Sequence, residues 1–389
     1  MTKHTNRIAS PLLRRINERR LLEVIQRQGP SSRAMLARSS GLTAPTVSKA
    51  VDLLLARGLL EELDPVEQAL GRPGRLVRMA TESAAVLGVV VDASTCCIVA
   101  AGLDGRVTEE QTRRLPTPDT YAAVMDGIER QCRGLLAEIS GTVHGIGVSV
   151  PGLVNERLRE IVCSPNLHIL DKRNPARDLE DRLGVPCVLT QETDSLCLSE
   201  RMYGAARGLE DFAVLDATTG LGLGAMSGGQ LLAGHSGMAG EVGHITVAPD
   251  GIRCGCGNRG CLETLATDAA LLRLLAERLG HPLDIAGAAA LLAERSADFQ
   301  PEIRTVTEHL AIAIAAVINI FNPTALLVHS TLLARSEERF ARVLERVMHR
   351  TLTASLADCT IVAARSSKRQ GAIASIMHHL TNTWAPSIR

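Results

Sequence analysis

Apolar residues follow one rhythm at the start of this chain and another beyond residue 85. Over 17–28 (NERRLLEVIQRQ), Leu21, Leu22, Val24 and Ile25 share one side of a helix, and Gly29-Pro30 ends it. Ser31 and Ser32 are good caps for a short second helix, Arg33–Arg38. A third helix is predicted from Ala44 to Arg57, with Thr43 able to cap it and Pro45 tolerated in its first turn. Leu36 and Ala37 lie on the second helix, Val47 and Val51 on the third, and Gly41 suits the tight turn between them. Ala37 supplies the small residue that a close helix crossing needs. Gly58–Glu62 and Leu76–Met79 then read as two strands, joined through Asp64-Pro65 and Gly71-Arg72-Pro73-Gly74-Arg75.

From Ala85 the pattern becomes α/β. Strands are predicted at Val86–Ala93, Cys96–Gly102 and Arg106–Arg113, with a hairpin signal at Asp104-Gly105. A helix Thr120–Ile139, a strand Gly145–Val150, a helix Pro175–Leu183, a strand Pro186–Thr190 and a helix Asp194–Ala206 follow. The pattern restarts with strands Phe212–Ala217 and Leu221–Ser227. It ends with a helix Ile303–Phe321, a strand Ala325–His329, a helix Ser336–Thr351, a strand Thr360–Ala364 and a last helix from Lys368. Two such lobes are typical of a fold that closes on a small ligand.

Composition narrows the class. The chain has 389 residues, enough for two or three domains, and only 2% aromatics, so its cores rest on Leu, Val, Ile and Ala. No apolar run is expected to span a membrane, and the basic start lacks the apolar stretch of a signal peptide. A cytoplasmic chain with reduced thiols or metal-bound cysteines is the expectation for its 10 cysteines. The net charge of zero hides an asymmetry: residues 1–80 carry 14 basic against 7 acidic residues, and the rest carries the opposite excess. A basic module on an acidic body fits a polyanion at one end, although a solvated helical surface gives the same count.

The spacing of the second and third helices is that of a helix-turn-helix, whose second helix puts its first turns into the major groove of DNA. Pro45, Thr46, Ser48 and Lys49, with Ala44, would face base edges there, and Arg33 and Arg38 would hold phosphates. A helical hairpin used for packing has the same spacing. The two strands after it read as a wing. Arg72 and Arg75 in the slender cationic run resemble a minor-groove hook, and the run also suits a plain turn.

The densest chemistry lies at 241–263. His244 is followed by Cys254, Cys256 and Cys261, with glycines that let a tight loop wrap one ion. One imidazole and three thiolates complete a closed tetrahedral zinc site, structural rather than catalytic because no position stays open. A set of buried free thiols is the alternative.

His-x9-Cys-x-Cys-x4-Cys-x-Glu after Glu-x-Gly-His resembles the signature of the ROK family (repressors, open reading frames and sugar kinases). The resemblance extends over Gly147–Gly152, Pro165-Asn166-Leu167 and Phe321-Asn322-Pro323. It implies an actin-like, ribonuclease-H-like two-lobed sugar-kinase fold behind the winged helix-turn-helix, and commonly a homodimer or homotetramer. It also implies that Glu241, His244 and Glu263 meet sugar hydroxyls, with His244 serving the metal through its other ring nitrogen. Surface charge or a supporting role around the metal is the alternative for the two glutamates.

The chain departs from the family's kinases where chemistry is needed. Gln191-Glu192 stands where kinases carry Asn-Asp, whose Asp is the general base. A longer arm there displaces the carboxylate, so Glu192 is read as a degenerate base that binds ligand, together with Gln191 and Asn166. The phosphate hairpin reads Asp92-Ala93-Ser94-Thr95-Cys96 without its glycines. The second phosphate loop reads Thr218-Thr219-Gly220-Leu221-Gly222-Leu223-Gly224, and the adenosine loop reads His329-Ser330-Thr331.

The expectation is therefore a sugar-responsive transcriptional repressor, not an enzyme, that binds operator DNA and a sugar or amino-sugar effector and holds one structural zinc per chain. The expected divisions are 1–80 (DNA module), 81–200 (first lobe, completed by 368–385) and 201–367 (second lobe). The alternatives are an active ATP-dependent sugar kinase with an appended DNA module, and a regulator controlled by a protein partner alone.

Overall fold

The computed structural model describes residues 5–63, 75–155 and 157–384. The chain divides into two compact units. The first takes the chain up to Ser149, then Pro175–Thr190 and the last helix from Lys368. The second takes Val150–Asn174 and Gln191–Ser367. By this division the segments 150–174 and 191–200 fall with the second unit, and the DNA module falls with the first.

In the first unit, helices Thr5–Gln28, Arg33–Ser40 and Ala44–Ala56 bury Leu21, Leu22, Ile25, Leu36, Val47, Val51 and Leu54. Ser32 caps the second helix through Met35 N–H (3.2 Å), and Gly41 closes it at φ 67°, its N–H donating to Ala37 O. Leu36 and Ser40, not Ala37, are the fully buried residues of that helix. Thr43 caps differently from expectation. Its hydroxyl meets the Thr46 hydroxyl at 2.9 Å and makes no capping bond to the backbone. The strands Leu60–Glu62 and Leu76–Met79 pair antiparallel, and Ser31–Ser32 adds a short third strand that the sequence did not announce.

The five-stranded sheet of this unit runs Cys187–Gln191, Thr142–Val150, Ala84–Val90, Thr95–Gly102, Thr112–Pro116. The last strand starts later than the predicted Arg106. The Asp104-Gly105 turn continues into a loop in which Asp104 accepts from the Arg106 N–H and Thr112 donates to Thr108 O. The closing helix Lys368–Trp384 packs on Ala84–Val90 and on the N-terminal helix.

The second unit repeats the same strand order: Gln230–Leu231, Gly222–Ser227, Phe212–Asp216, Ala325–His329, Thr360–Ala363. In both sheets a central strand pairs antiparallel with the strand after it and parallel with a strand reached by a crossover. Helices Asp268–Leu279 and Ile285–Arg295, which the apolar pattern left unassigned, join Gln300–Phe321 around this core. The stretch Ile285–Phe321 is, against expectation, long and apolar enough in composition to cross a membrane. Its helix Gln300–Phe321 nonetheless buries Ile303, Val306, Leu310, Ile314 and Val317 inside the unit.

Candidate functional site

On the DNA module, Ala44, Pro45, Lys49 and Arg38 are exposed, and Thr46 and Ser48 are half-buried at the start of the third helix. Arg33, expected at a phosphate, is committed internally. Its guanidinium donates to Ser48 Oγ (2.9 Å) and Ser48 O, pairs with Asp52 at 2.7 Å and approaches Glu62 of the wing strand at 3.8 Å. It therefore clamps the recognition helix to the wing and occupies the Ser48 hydroxyl. A second clamp joins Arg57, at the other end of that helix, to the buried Glu18 at 2.9 Å. Arg75 is exposed and pairs with Glu62 at 2.7 Å. Arg72 and most of the Gly-Arg-Pro-Gly-Arg run lie outside the described residues.

In the second unit, the ligand atoms of His244, Cys254, Cys256 and Cys261 all lie within 4.8 Å of one another. Cys256 Sγ and Cys261 Sγ are 3.7 Å apart, and Cys254 Sγ is 3.7 Å from His244 Nδ1. A tetrahedral ion with ~2.3 Å sulfur arms has edges of ~3.8 Å, so these two pairs stand near the separation zinc imposes, and all four donors are close enough to share one ion. Burial pushes the Cys254 and Cys261 thiols upward. These thiols therefore lose their protons only where a cation takes the proton's place.

The same corner gathers the expected ligand residues. With Nδ1 facing Cys254, His244 turns Nε2 toward Glu241 Oε2 at 3.6 Å. Gln191 donates to Glu241 Oε1 at 3.1 Å. Burial raises the Glu241 carboxyl above its ordinary range. Glu263 accepts the Leu221 N–H at 3.0 Å and approaches Cys254 Sγ at 3.6 Å, so it touches the metal loop as well. A Cβ on Gly220 would stand 2.8 Å from Glu263 Oε2 and 3.1 Å from Asn166 Nδ2, so both side-chain ends converge on this glycine and a larger residue would displace them. The sequence places Gly220 and Leu221 in a phosphate loop; in the structure they contact Glu263 and Asn166 instead. Glu192 opens the helix Glu192–Met202 beside Gln191, where the helix N-terminus favours a carboxylate.

Beside this corner, at the end of the sheet where Asp216 pairs with Gly222 and with His329, the polar groups are filled. Asp216 accepts from the Thr218 N–H (3.2 Å) and hydroxyl (2.8 Å) and faces His329 Nδ1 at 3.0 Å. Asp268, almost fully buried, accepts from Ser330 Oγ (2.6 Å), Thr331 N–H (2.6 Å) and Leu332 N–H (3.2 Å). The groups of the expected adenosine loop are thus spent on an internal carboxylate. Sequence reading missed Asp268. Thr267-Asp268 before an apolar run does mark a helix start, and Thr267 caps it, but a partner 62 positions away leaves no local signal.

Comparison with known proteins agrees with this architecture. Residues 87–379 match the model of the ROK family, and residues 13–68 match the MarR family. The chain is 31% identical over 336 residues to the DNA-binding transcriptional dual regulator NagC of Escherichia coli (strain K12), covering 82% of this chain and 80% of that protein. It is 27% identical over 335 residues to the xylose repressor of Bacillus subtilis (strain 168), covering 82% and 83% respectively. Among solved structures, a ROK family transcriptional regulator described as a homologue of the E. coli MLC protein superposes with a TM-score of 0.78 at 24% identity, covering 96% of this chain and 98% of that one.

Proposed function

We propose, from the premise that this chain belongs to the ROK family and carries a MarR-type helix-turn-helix ahead of its sugar-kinase fold, that it is a sugar-responsive repressor without kinase activity. The observation that carries the reading is the contrast inside the second unit. The corner of Asn166, Gln191, Glu241, His244 and Glu263 keeps hydroxyl-binding carboxylates and amides in one place. The elements that a nucleotide needs are occupied by Asp216 and Asp268. Carboxylates accept from vicinal hydroxyls, and an imidazole held through Nδ1 offers Nε2 to the same ligand.

The four-donor loop holds one zinc as a structural ion, which fixes His244 for its second task. The ion polarises no substrate, since all four positions are taken. Operator contact falls to Thr46 and Lys49, with Pro45, Arg38 and Arg75 at the edges and Ser48 positioned by Arg33. The chain acts as a homodimer or homotetramer whose paired modules read two half-sites about one helical turn or a multiple apart. A ligand signal has a physical route to this module. The last helix starts at Lys368, where the chain leaves the second unit, and packs on the N-terminal helix.

A gel-shift titration on the gene's own upstream region, with and without a panel of sugars and amino sugars, tests the reading. Affinity should change by roughly 5–150-fold with the cognate sugar. Lys49→Ala should weaken binding in a salt-dependent way, lowering the salt slope by about 1. Thr46→Ala should change which sequence is preferred. No DNA binding at any salt sinks the reading. The surviving Gly222 and Gly224 and the carboxylate of Glu192 favour the second reading, an active sugar kinase; sugar-dependent ATP consumption that disappears in Glu192→Gln would establish it.

A further inference from the structure

A second group of metal-type donors stands on the flank of the first. Cys163 ends the strand Glu160–Cys163, His168 opens the short helical turn His168–Leu170, and Asp171 follows it. One donor atom from each, a thiol sulfur, an imidazole nitrogen and a carboxylate oxygen, lies within 4.8 Å of the others. His168 Nδ1 and Asp171 Oδ2 are 3.0 Å apart. Two donors with ~2.0–2.1 Å arms on one tetrahedral ion stand ~3.4 Å apart, so a small adjustment seats both. The other Asp171 oxygen accepts the Ser164 N–H at 2.6 Å, which aims the carboxylate before any ion arrives. The intervening backbone is tied by Leu167 N–H to Ser164 O and Lys172 N–H to Ile161 O, so the donors are held on a rigid loop. The Cys254-Gly255-Cys256 loop lies directly against this segment: a Cβ on Gly255 would stand 2.2 Å from Pro165 O.

We propose that Cys163, His168 and Asp171 form a second, exchangeable binding site for a borderline divalent transition ion such as zinc or cobalt. The mixed sulfur, nitrogen and oxygen set selects this class over calcium or magnesium, which take oxygen alone. Three protein ligands leave a fourth position for water, and the exposed His168 ring gives the ion a way in and out. The His244 site, by contrast, is closed and largely buried. Binding deprotonates the Cys163 thiol and releases its proton to solvent. An ion here would tie together both ends of the loop that carries Asn166.

The full chain, loaded with one zinc and kept reduced, is titrated with Co2+ as the probe. Elemental analysis and thiolate-to-cobalt absorption should report one cobalt per chain beside the zinc, removable by a mild chelator that leaves the zinc in place. Cys163→Ser and His168→Ala should each weaken cobalt binding by about ten-fold or more while retaining the zinc. His168 is exposed, so its variant should melt like the wild type, which separates loss of the site from loss of the fold. Failure of the wild-type chain to take up cobalt beside the zinc, or cobalt uptake that either variant leaves intact, overturns the proposal.

Discussion

Two corners of the second unit have opposite fates. At one, Glu241 and Glu263 each accept one hydrogen bond from nitrogen, from Gln191 at 3.1 Å and from the Leu221 N–H at 3.0 Å, and with His244 they stay half-buried beside the metal-type loop. At the other, Asp216 and Asp268 are buried and gather five hydrogen bonds from hydroxyls and amides at 2.6–3.2 Å. A polar group already paired inside the protein has little to offer a ligand, whereas a held but under-used one does. One end of a single sheet can therefore leave one polar cluster available to a ligand while another is satisfied internally. This contrast is what supports the proposed reading of recognition without phosphoryl transfer.

The largest expected effect comes from breaking the first corner's frame. Cys261→Ser should lose the bound metal and destabilise the second unit by on the order of 3 kcal/mol or more, read by elemental analysis and thermal melting. An unchanged melt with no metal in either protein would mean that the loop is held by packing alone.

The filled corner should also yield on substitution, by ~1–3 kcal/mol for Asp268→Asn, because an amide cannot accept from all three donors. Its pH dependence gives a sharper test. Burial pushes the Asp268 carboxyl up to about 6 from 3.8. Between those values the folded chain keeps a proton that the unfolded chain has lost, so this group's contribution falls as pH rises from about 4 to about 6. The wild type's stability margin over Asp268→Asn in urea should shrink across that window. A margin that grows with pH would show that the carboxylate is favoured in place, and the picture of a merely filled corner would need revision.

The smallest effect separates binding from framing. Glu263→Gln keeps the shape near Leu221 and Cys254 but removes the charge. It should retain metal and DNA binding while losing the sugar-induced shift, a coupling of ~1–3 kcal/mol. Retention of the full sugar response would leave Glu263 as a support of the metal loop alone.

Much of this was legible along the chain because it is local. Helix caps, the turn at Gly41, the 3.6-residue and two-residue rhythms and the His/Cys spacing all act within a few positions, so Ala325–His329 and Leu76–Met79 fall where their patterns place them. The short strand Ser31–Ser32 and the late start at Thr112 were not legible, since a partner strand or a loop clasp decided them.

Local patterning along the chain sufficed for the His/Cys spacing of the four-donor cluster, for most of the order of strands and helices, and for the absence of glycines from the Asp92–Cys96 hairpin. Packing across the fold placed Arg33 as the clamp on the recognition helix, brought Glu263 and Asn166 together at Gly220, and set Asp268 against the Ser330–Leu332 turn. The difference is one of range. Backbone propensity and ligand spacing are set by neighbours in sequence, whereas a buried hydrogen bond is set by whichever group packing delivers, 15 positions away for Arg33 and Ser48 and 62 for Ser330 and Asp268.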